Sequence, residues 1–198
     1  MKIILIAATL LFGIATESIA QKKTVTTAKH QSKYKIGNYA QGGIVFWVDE
    51  TGEHGLVCAI KDQSTGIRWY NGSYTKTGAT GNAPRAGKRN TSLIIENQGA
   101  NSNSYAAGIC ANLKLTVNRK TYNDWYLPSI KELSLMYKSQ KAINATALAN
   151  NGNPLSYYYW SSTEFNKNYA HYYYMNSAKK SNKTFKETER SVRAVRAF

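Results

Sequence analysis

Two short runs constrain this chain more than any other feature: Gly42 to Asp49 (GGIVFWVD) and Gly55 to Ile60 (GLVCAI). Each is β-branched, aromatic and apolar on both faces. The polar stretch ETGEHG joins them and carries a turn glycine at Gly52. This pattern predicts a β-hairpin, and strands apolar on both sides belong in the interior of a domain.

The rest of the chain is read around that hairpin. Residues 62–90, with scattered Gly, Asn, Ser and Thr, read as a long structured loop carrying Trp69, Tyr70 and Tyr74. Thr91 or Ser92 can cap a short helix through Leu93, Ile94 and Ile95. Ala106, Ala107, Ile109, Cys110 and Leu113 then recur at helical spacing. Ser129-Ile130-Lys131-Glu132 is a capping box, with Leu133, Met136 and Tyr137 as the buried stripe behind it. That helix is expected to reach about residue 139, with an irregular continuation to Asn150. Tyr157 to Ser162, Tyr169 to Met175 and Ser191 to Phe198 read as three further strands. Hairpin, two to three helices and C-terminal antiparallel strands make an α+β domain.

The N-terminus has the three parts of an export signal. Lys2 is basic, Ile3 to Ala15 is apolar but too short to span a bilayer, and Ser18-Ile19-Ala20 offers small side chains for cleavage. Residues 1–20 are therefore expected to be removed, with no cysteine marking a lipoprotein. Residues 21–33 are basic, Thr-rich and poor in large apolar groups, and read as a flexible leader. The binding domain is expected over 34–198, in the periplasm, on the cell surface or secreted, with no membrane span after cleavage.

The formal charge of +15 is unchanged by losing Lys2 and Glu17. So basic a domain attracts polyanions: outside a cell, sulfated or uronic-acid glycans, anionic surface polymers or an acidic protein face. Charge alone admits nucleic acid, but nucleic acid is not the expected partner. In an oxidising compartment a Cys58–Cys110 disulfide is the leading expectation. Two buried free thiols are the alternative, since each cysteine sits in an apolar run.

Seven tyrosines fall within eighteen residues: Tyr157, Tyr158, Tyr159, Tyr169, Tyr172, Tyr173 and Tyr174. Strand alternation puts Tyr169, His171, Tyr173 and Met175 on one side, and Ala170, Tyr172 and Tyr174 on the other. One set can fill the core while the other makes an exposed contact surface. Seven basic residues follow Asn176: Lys179, Lys180, Lys183, Lys186, Arg190, Arg193 and Arg196. Lys179 to Lys186 read as a loop that would draw an anion to the tyrosines, or equally as a solvated loop. At least one of Arg193 and Arg196 is expected to pair with a carboxylate such as Glu132 or Glu164. The expected ligand-binding residues are Tyr157, Tyr169, His171, Tyr173, Lys179, Lys180 and Lys183. Trp125 and Trp160 read as core, while Trp69 and Tyr70 could pin their loop or stack on a sugar.

No chemistry-bearing constellation is evident. His30, His54 and His171 lack metal-ligand spacing, and there is no nucleophile elbow or phosphate-cradling glycine motif. A catalytic function, a metal and a cofactor are all unexpected.

The stretches GGIVFWVDETGEHGLVCAI, GKRNT, AAGIC, DWYLPSIKEL, YWSSTE and VRAVRAF, in this order from about Tyr39 to Phe198, carry a resemblance. They resemble a bacterial domain-of-unknown-function family typified by the C-terminal domain of the collagen-like adhesin Lcl. The resemblance implies a C-type-lectin-like fold, in which an irregular loop region presents the ligand surface. It also implies adhesion and glycan or protein binding, including glycosaminoglycan binding. Two positions depart from the pattern: Tyr126 stands where relatives have Arg in DWRLP, and His171 where many have Trp. The triplets EPN and QPD of calcium-dependent lectins are absent, and the cysteines do not match those of sulfatase-modifying enzymes of the same fold. The C-terminal segment is also similar to variable regions diversified by retroelements. Together these features lead to an exported, non-enzymatic binding domain for an anionic glycan or protein surface. The alternative is a structural surface or adhesin subunit that uses the same face to assemble, for instance as a homo-oligomer.

Overall fold

A computed structural model describes residues 33–99, 103–176 and 181–198. The expected signal peptide, residues 21–32 of the leader, and Lys179 and Lys180 lie outside the described residues. The elements run β1 (Tyr39–Ala40), β2 (Gly43–Val48), β3 (Gly55–Cys58), β4 (Ser64–Ile67), α1 (Ala86–Gln98), α2 (Ala106–Ala111), β5 (Leu115–Val117) and β6 (Lys120–Tyr122). They continue with α3 (Ile130–Lys138), α4 (Gln140–Ala149), β7 (Tyr158–Glu164), β8 (Tyr169–Tyr174), β9 (Ser181–Phe185), β10 (Arg190–Val192) and β11 (Val195–Ala197). The fold is mixed α+β.

One sheet has the order β1-β2-β3-β11 and a second β4-β10-β7-β8-β9. β2 and β3 form the expected hairpin, and Val195, Arg196 and Ala197 pair with Cys58, Val57 and Leu56. The doubly apolar pattern of that hairpin has a direct cause. Val45 and Val57 face one core, with Ile94, Ala106, Trp125 and Trp160. Ile44, Phe46, Leu56 and Cys58 face another, with Leu133, Met136 and Ile143 from α3 and α4. Helices thus cover both faces of the first sheet.

The capping box forms as expected. Ser129 Oγ accepts from Glu132 N at 3.2 Å, and Ser129 N donates to Glu132 Oε2 at 2.6 Å. The Glu132 carboxylate reaches further, accepting from Arg85 N at 2.7 Å and from the Tyr126 hydroxyl at 2.9 Å. Burial pushes this carboxyl above its usual range although these donors pull the other way. It also starts α1, which begins at Ala86 rather than at Thr91 or Ser92. Thr91 instead lies within the helix, and its hydroxyl accepts from Leu127 N at 3.0 Å. Gly87 is required where the two helices meet, because a Cβ there would stand 2.4 Å from Glu132 Oε2 and 2.7 Å from Leu127 O.

Four further expectations change. The loop read over 62–90 contains β4 and the first turns of α1. The irregular continuation read over 139–150 is a separate fourth helix, α4, with Ser139 at its N-cap position. The loop read over Lys179 to Lys186 holds β9. The Cys58–Cys110 bridge is absent: both are free, buried thiols. Cys58 faces the core under α3 and α4, whereas Cys110 faces the other. Burial pushes the Cys58 thiol up to about 12 and raises Cys110 as well, leaving almost no thiolate at neutral pH. Neither cysteine should therefore react with Ellman's reagent in the folded chain, and both should react in guanidinium. A native chain that shows no free thiol after unfolding would restore the bridge.

Candidate functional site

β7, β8 and β9 build the surface on which the sequence places its aromatic and basic residues. β8 pairs antiparallel with both neighbours, with Tyr158 opposite Tyr174, Tyr159 opposite Tyr173 and Trp160 opposite Tyr172. On the other side Tyr169 opposes Phe185, His171 opposes Lys183 and Tyr173 opposes Ser181. Opposed residues share a face, so Tyr169, His171, Tyr173, Lys183 and Phe185 stand on one side. The expected alternation is kept.

Exposure along that face is not uniform. Tyr173 is only 3% exposed, which corrects its assignment as an exposed contact. Helix α3 lies over this end of the sheet, with the Tyr137 ring 6.0 Å from that of Tyr173. The edge of Tyr173 still lines a cavity of about 600 Å³, together with Lys131, Ser134 and Ser181. Beyond the helix the face opens. Tyr169 and Phe185 pack 4.3 Å apart between ring centroids, and Phe165 meets His171 edge-on at 5.7 Å. Lys183 Nζ lies 3.5 Å from the Phe165 ring centroid. Phe165, just past the end of β7, and Phe185 on β9 are 46% and 45% exposed, large values for phenylalanine. His171 is half-buried. Burial, and then the charge of Lys183, hold its imidazole below the usual range, so at neutral pH it is an uncharged ring with hydrogen-bonding nitrogens.

The opposite face holds a second aromatic group. Tyr158 stacks on Tyr174 at 4.6 Å and meets Tyr172 edge-on at 5.9 Å. Tyr157, just before β7, is 62% exposed.

Ion pairing sorts the basic residues of the last segment. Lys186 Nζ is 2.6 Å from Glu164 Oε1, Arg193 Nε 2.6 Å from Asp62 Oδ1, and Arg196 Nε 2.6 Å from Asp124 Oδ1. Glu164 is thus a structural partner as expected, but of Lys186, while both arginines pair with aspartates. Lys183 and Arg190 have no carboxylate partner among the described residues. Each instead lies over aromatic rings. These are the two described cations of the segment with charge left over for a ligand.

Trp125 and Trp160 are in the core as expected. Trp69 and Tyr70 are buried too, at 0% and 6% exposure, so they pin their loop and are not available to stack on a sugar. Trp69 Nε1 donates to Ser161 O at 2.8 Å. Two exposed residues escape sequence reasoning, Phe165 and Phe185, while Tyr158 and Arg190 are read there only as members of the tyrosine and basic runs. Phe185 follows Lys183 at the two-residue spacing of one strand face, but SNKTF lacks the apolar alternation that would mark a strand.

Comparison with protein families matches residues 58–196 to the Lcl C-terminal domain. No curated protein matches the chain.

Proposed function

We propose that this chain, which belongs to the Lcl C-terminal domain family, is an exported, non-enzymatic binding domain that takes an anionic glycan on the open face of β8 and β9. The observation that carries the reading is the unpaired Lys183 beside exposed Phe165 and Phe185, with Tyr169 and His171, on a hydrogen-bonded sheet. Aromatic rings offer stiff apolar area to the C–H faces of sugars, and the lysine attracts the acidic substituents. The neighbouring cavity, with Lys131 and Ser134, extends the surface for a chain-like ligand. Tyr157 lies outside this face, and Lys179 and Lys180 are outside the described residues. A C-type-lectin-like arrangement of the α+β fold belongs to the same proposal. So does the likeness to retroelement-diversified regions, for which the open-face positions would be those that vary.

Dextran sulfate titrated by calorimetry tests the reading. Affinity should fall as salt is raised. Lys183→Ala should weaken binding about tenfold, near 1.4 kcal/mol and in the range of a hydrogen bond to a charged group. Tyr169→Ala should weaken it several-fold. An absence of binding, or affinity unchanged by both substitutions, rejects the proposal. The apolar character of Phe165 and Phe185 favours one second reading, in which this face assembles copies of the chain. A stable oligomer by light scattering that dissociates on Phe185→Lys would support it.

A further inference from the structure

We infer that Arg190 is a carboxylate-reading subsite, which selects uronic-acid residues of a polysaccharide over sulfate groups. This rests on the glycan reading above but on a different face and different residues.

Arg190 is the first residue of β10, beside Tyr158 on the parallel neighbour β7. Its guanidinium lies 4.8 Å from the ring centroids of both Tyr158 and Tyr172. These two rings stand 5.9 Å apart and 69° to one another. No side chain or carbonyl among the described residues accepts a hydrogen bond from any of its three nitrogens, and of the three only Nε is closed to solvent. A buried donor without an acceptor is uncommon in folded proteins and carries a desolvation cost. The fully buried cations Arg193 and Lys186 leave no such vacancy. Arg193 spends its guanidinium on Asp62, Ala59, Asn153 and Pro154, and Lys186 spends its ammonium on Glu164 and Thr75. Arg190 is instead held between two ring faces, which orient its guanidinium and leave its donors unspent.

A guanidinium so held presents its two terminal nitrogens as a planar fork. That fork matches the two coplanar oxygens of a carboxylate, and an ammonium cannot reproduce the match. A sulfate ester can also face the fork with two oxygens, but it spreads its single charge over three oxygens and is the weaker hydrogen-bond acceptor. Beside the fork Tyr158 is 39% exposed and Tyr174 stacks on it, and Tyr157, which precedes Tyr158 and interacts with Tyr174, is 62% exposed. They supply ring faces for a pyranose and hydroxyls for its substituents. A peptide carboxylate is the poorer fit. β10 lies between β4 and β7 in the sheet, so no free strand edge at Arg190 offers backbone hydrogen bonds to an extended peptide.

Two polysaccharide probes and four variants of the full chain test this, with circular dichroism to check each fold. An oligogalacturonate carries carboxylates and no sulfate, and dextran sulfate the reverse. The wild-type chain should bind both. Arg190→Gln should lose roughly tenfold or more in affinity for the oligogalacturonate while holding dextran sulfate unchanged, and Lys183→Ala should show the reverse preference. Arg190→Lys should recover little, because it restores the charge and not the fork. Tyr157→Ala, at an exposed position, should cost several-fold for the oligogalacturonate and decides the matter if Arg190→Gln fails to fold. Wild-type binding to dextran sulfate alone overturns the inference and leaves the glycan reading standing. So does undiminished oligogalacturonate binding by Arg190→Gln, full rescue by Arg190→Lys, or tighter binding of poly-glutamate than of oligogalacturonate. Binding to neither polysaccharide overturns both.

Discussion

Lys186→Met should lower the unfolding free energy by roughly 3–5 kcal/mol, read as an earlier denaturant midpoint at unchanged slope. The side chains of Lys186 and Glu164 are 0% and 1% exposed, with 2.6 Å between Nζ and Oε1. Lys186 Nζ also donates to Thr75 O at 2.8 Å and sits 4.4 Å from the Trp69 ring centroid. Glu164 in turn accepts from Thr77 N at 2.9 Å and Gly78 N at 3.0 Å. Methionine keeps the length of the lysine but leaves a buried carboxylate facing only neutral donors. Adding Glu164→Gln should recover most of the loss, since the amide oxygen still accepts from the 77–78 backbone without a charge. A single variant that costs under about 1 kcal/mol would mean that the pair behaves like a surface ion pair. The same change should weaken dextran sulfate binding, because Lys186 directly follows Phe185 and anchors the end of β9.

What the sequence disclosed and what it hid divides along the range of the interactions. The capping box was legible because its partners lie three residues apart. The β2–β3 hairpin was legible because its apolar character is continuous and its turn is local. The parity of β8 was legible too: Tyr169, His171 and Tyr173 do share a face. What alternation cannot supply is what lies over each part of a face, and α3 covers Tyr173 while Tyr169 and His171 stay partly open. Lys186 looked like one more lysine of a solvated loop because its partner is twenty-two residues away. The cysteines misled for a similar reason. Both sit in apolar runs, and which core each run faces is decided by helices packed on opposite sides of one sheet. Arg190 stands out in the sequence only as one of seven basic residues, because nothing local marks the two tyrosines that close over it.

Arg193→Met should be as damaging as the loss of Lys186, roughly 3–5 kcal/mol, but through a different part of the fold. Arg193 is fully buried and joins three segments that no local pattern connects. Its Nε donates to Asp62 Oδ1 at 2.6 Å, Nη1 to Ala59 O at 3.0 Å, and Nη2 to Asn153 O and Pro154 O at 3.1 and 3.3 Å. Asp62 also accepts from the Tyr159 hydroxyl at 2.8 Å and from Asn153 Nδ2 at 3.2 Å. The residue therefore ties the end of the hairpin to the segment before β4 and to the segment after α4, and Asp62 carries the junction on to β7. Its loss strands Asp62 as a buried charge and leaves carbonyls without donors. Arg193→Lys separates two causes of the loss. An ammonium can neutralise Asp62 but cannot reach carbonyls on both sides at once, so the lysine variant should remain at least 2 kcal/mol below wild type, on the order of two lost buried hydrogen bonds. Recovery to wild-type stability by lysine would show instead that charge alone holds this junction. The tyrosines of β7 and β8 would then stand on a simpler foundation, a single ion pair beneath a sheet whose position the remaining contacts fix.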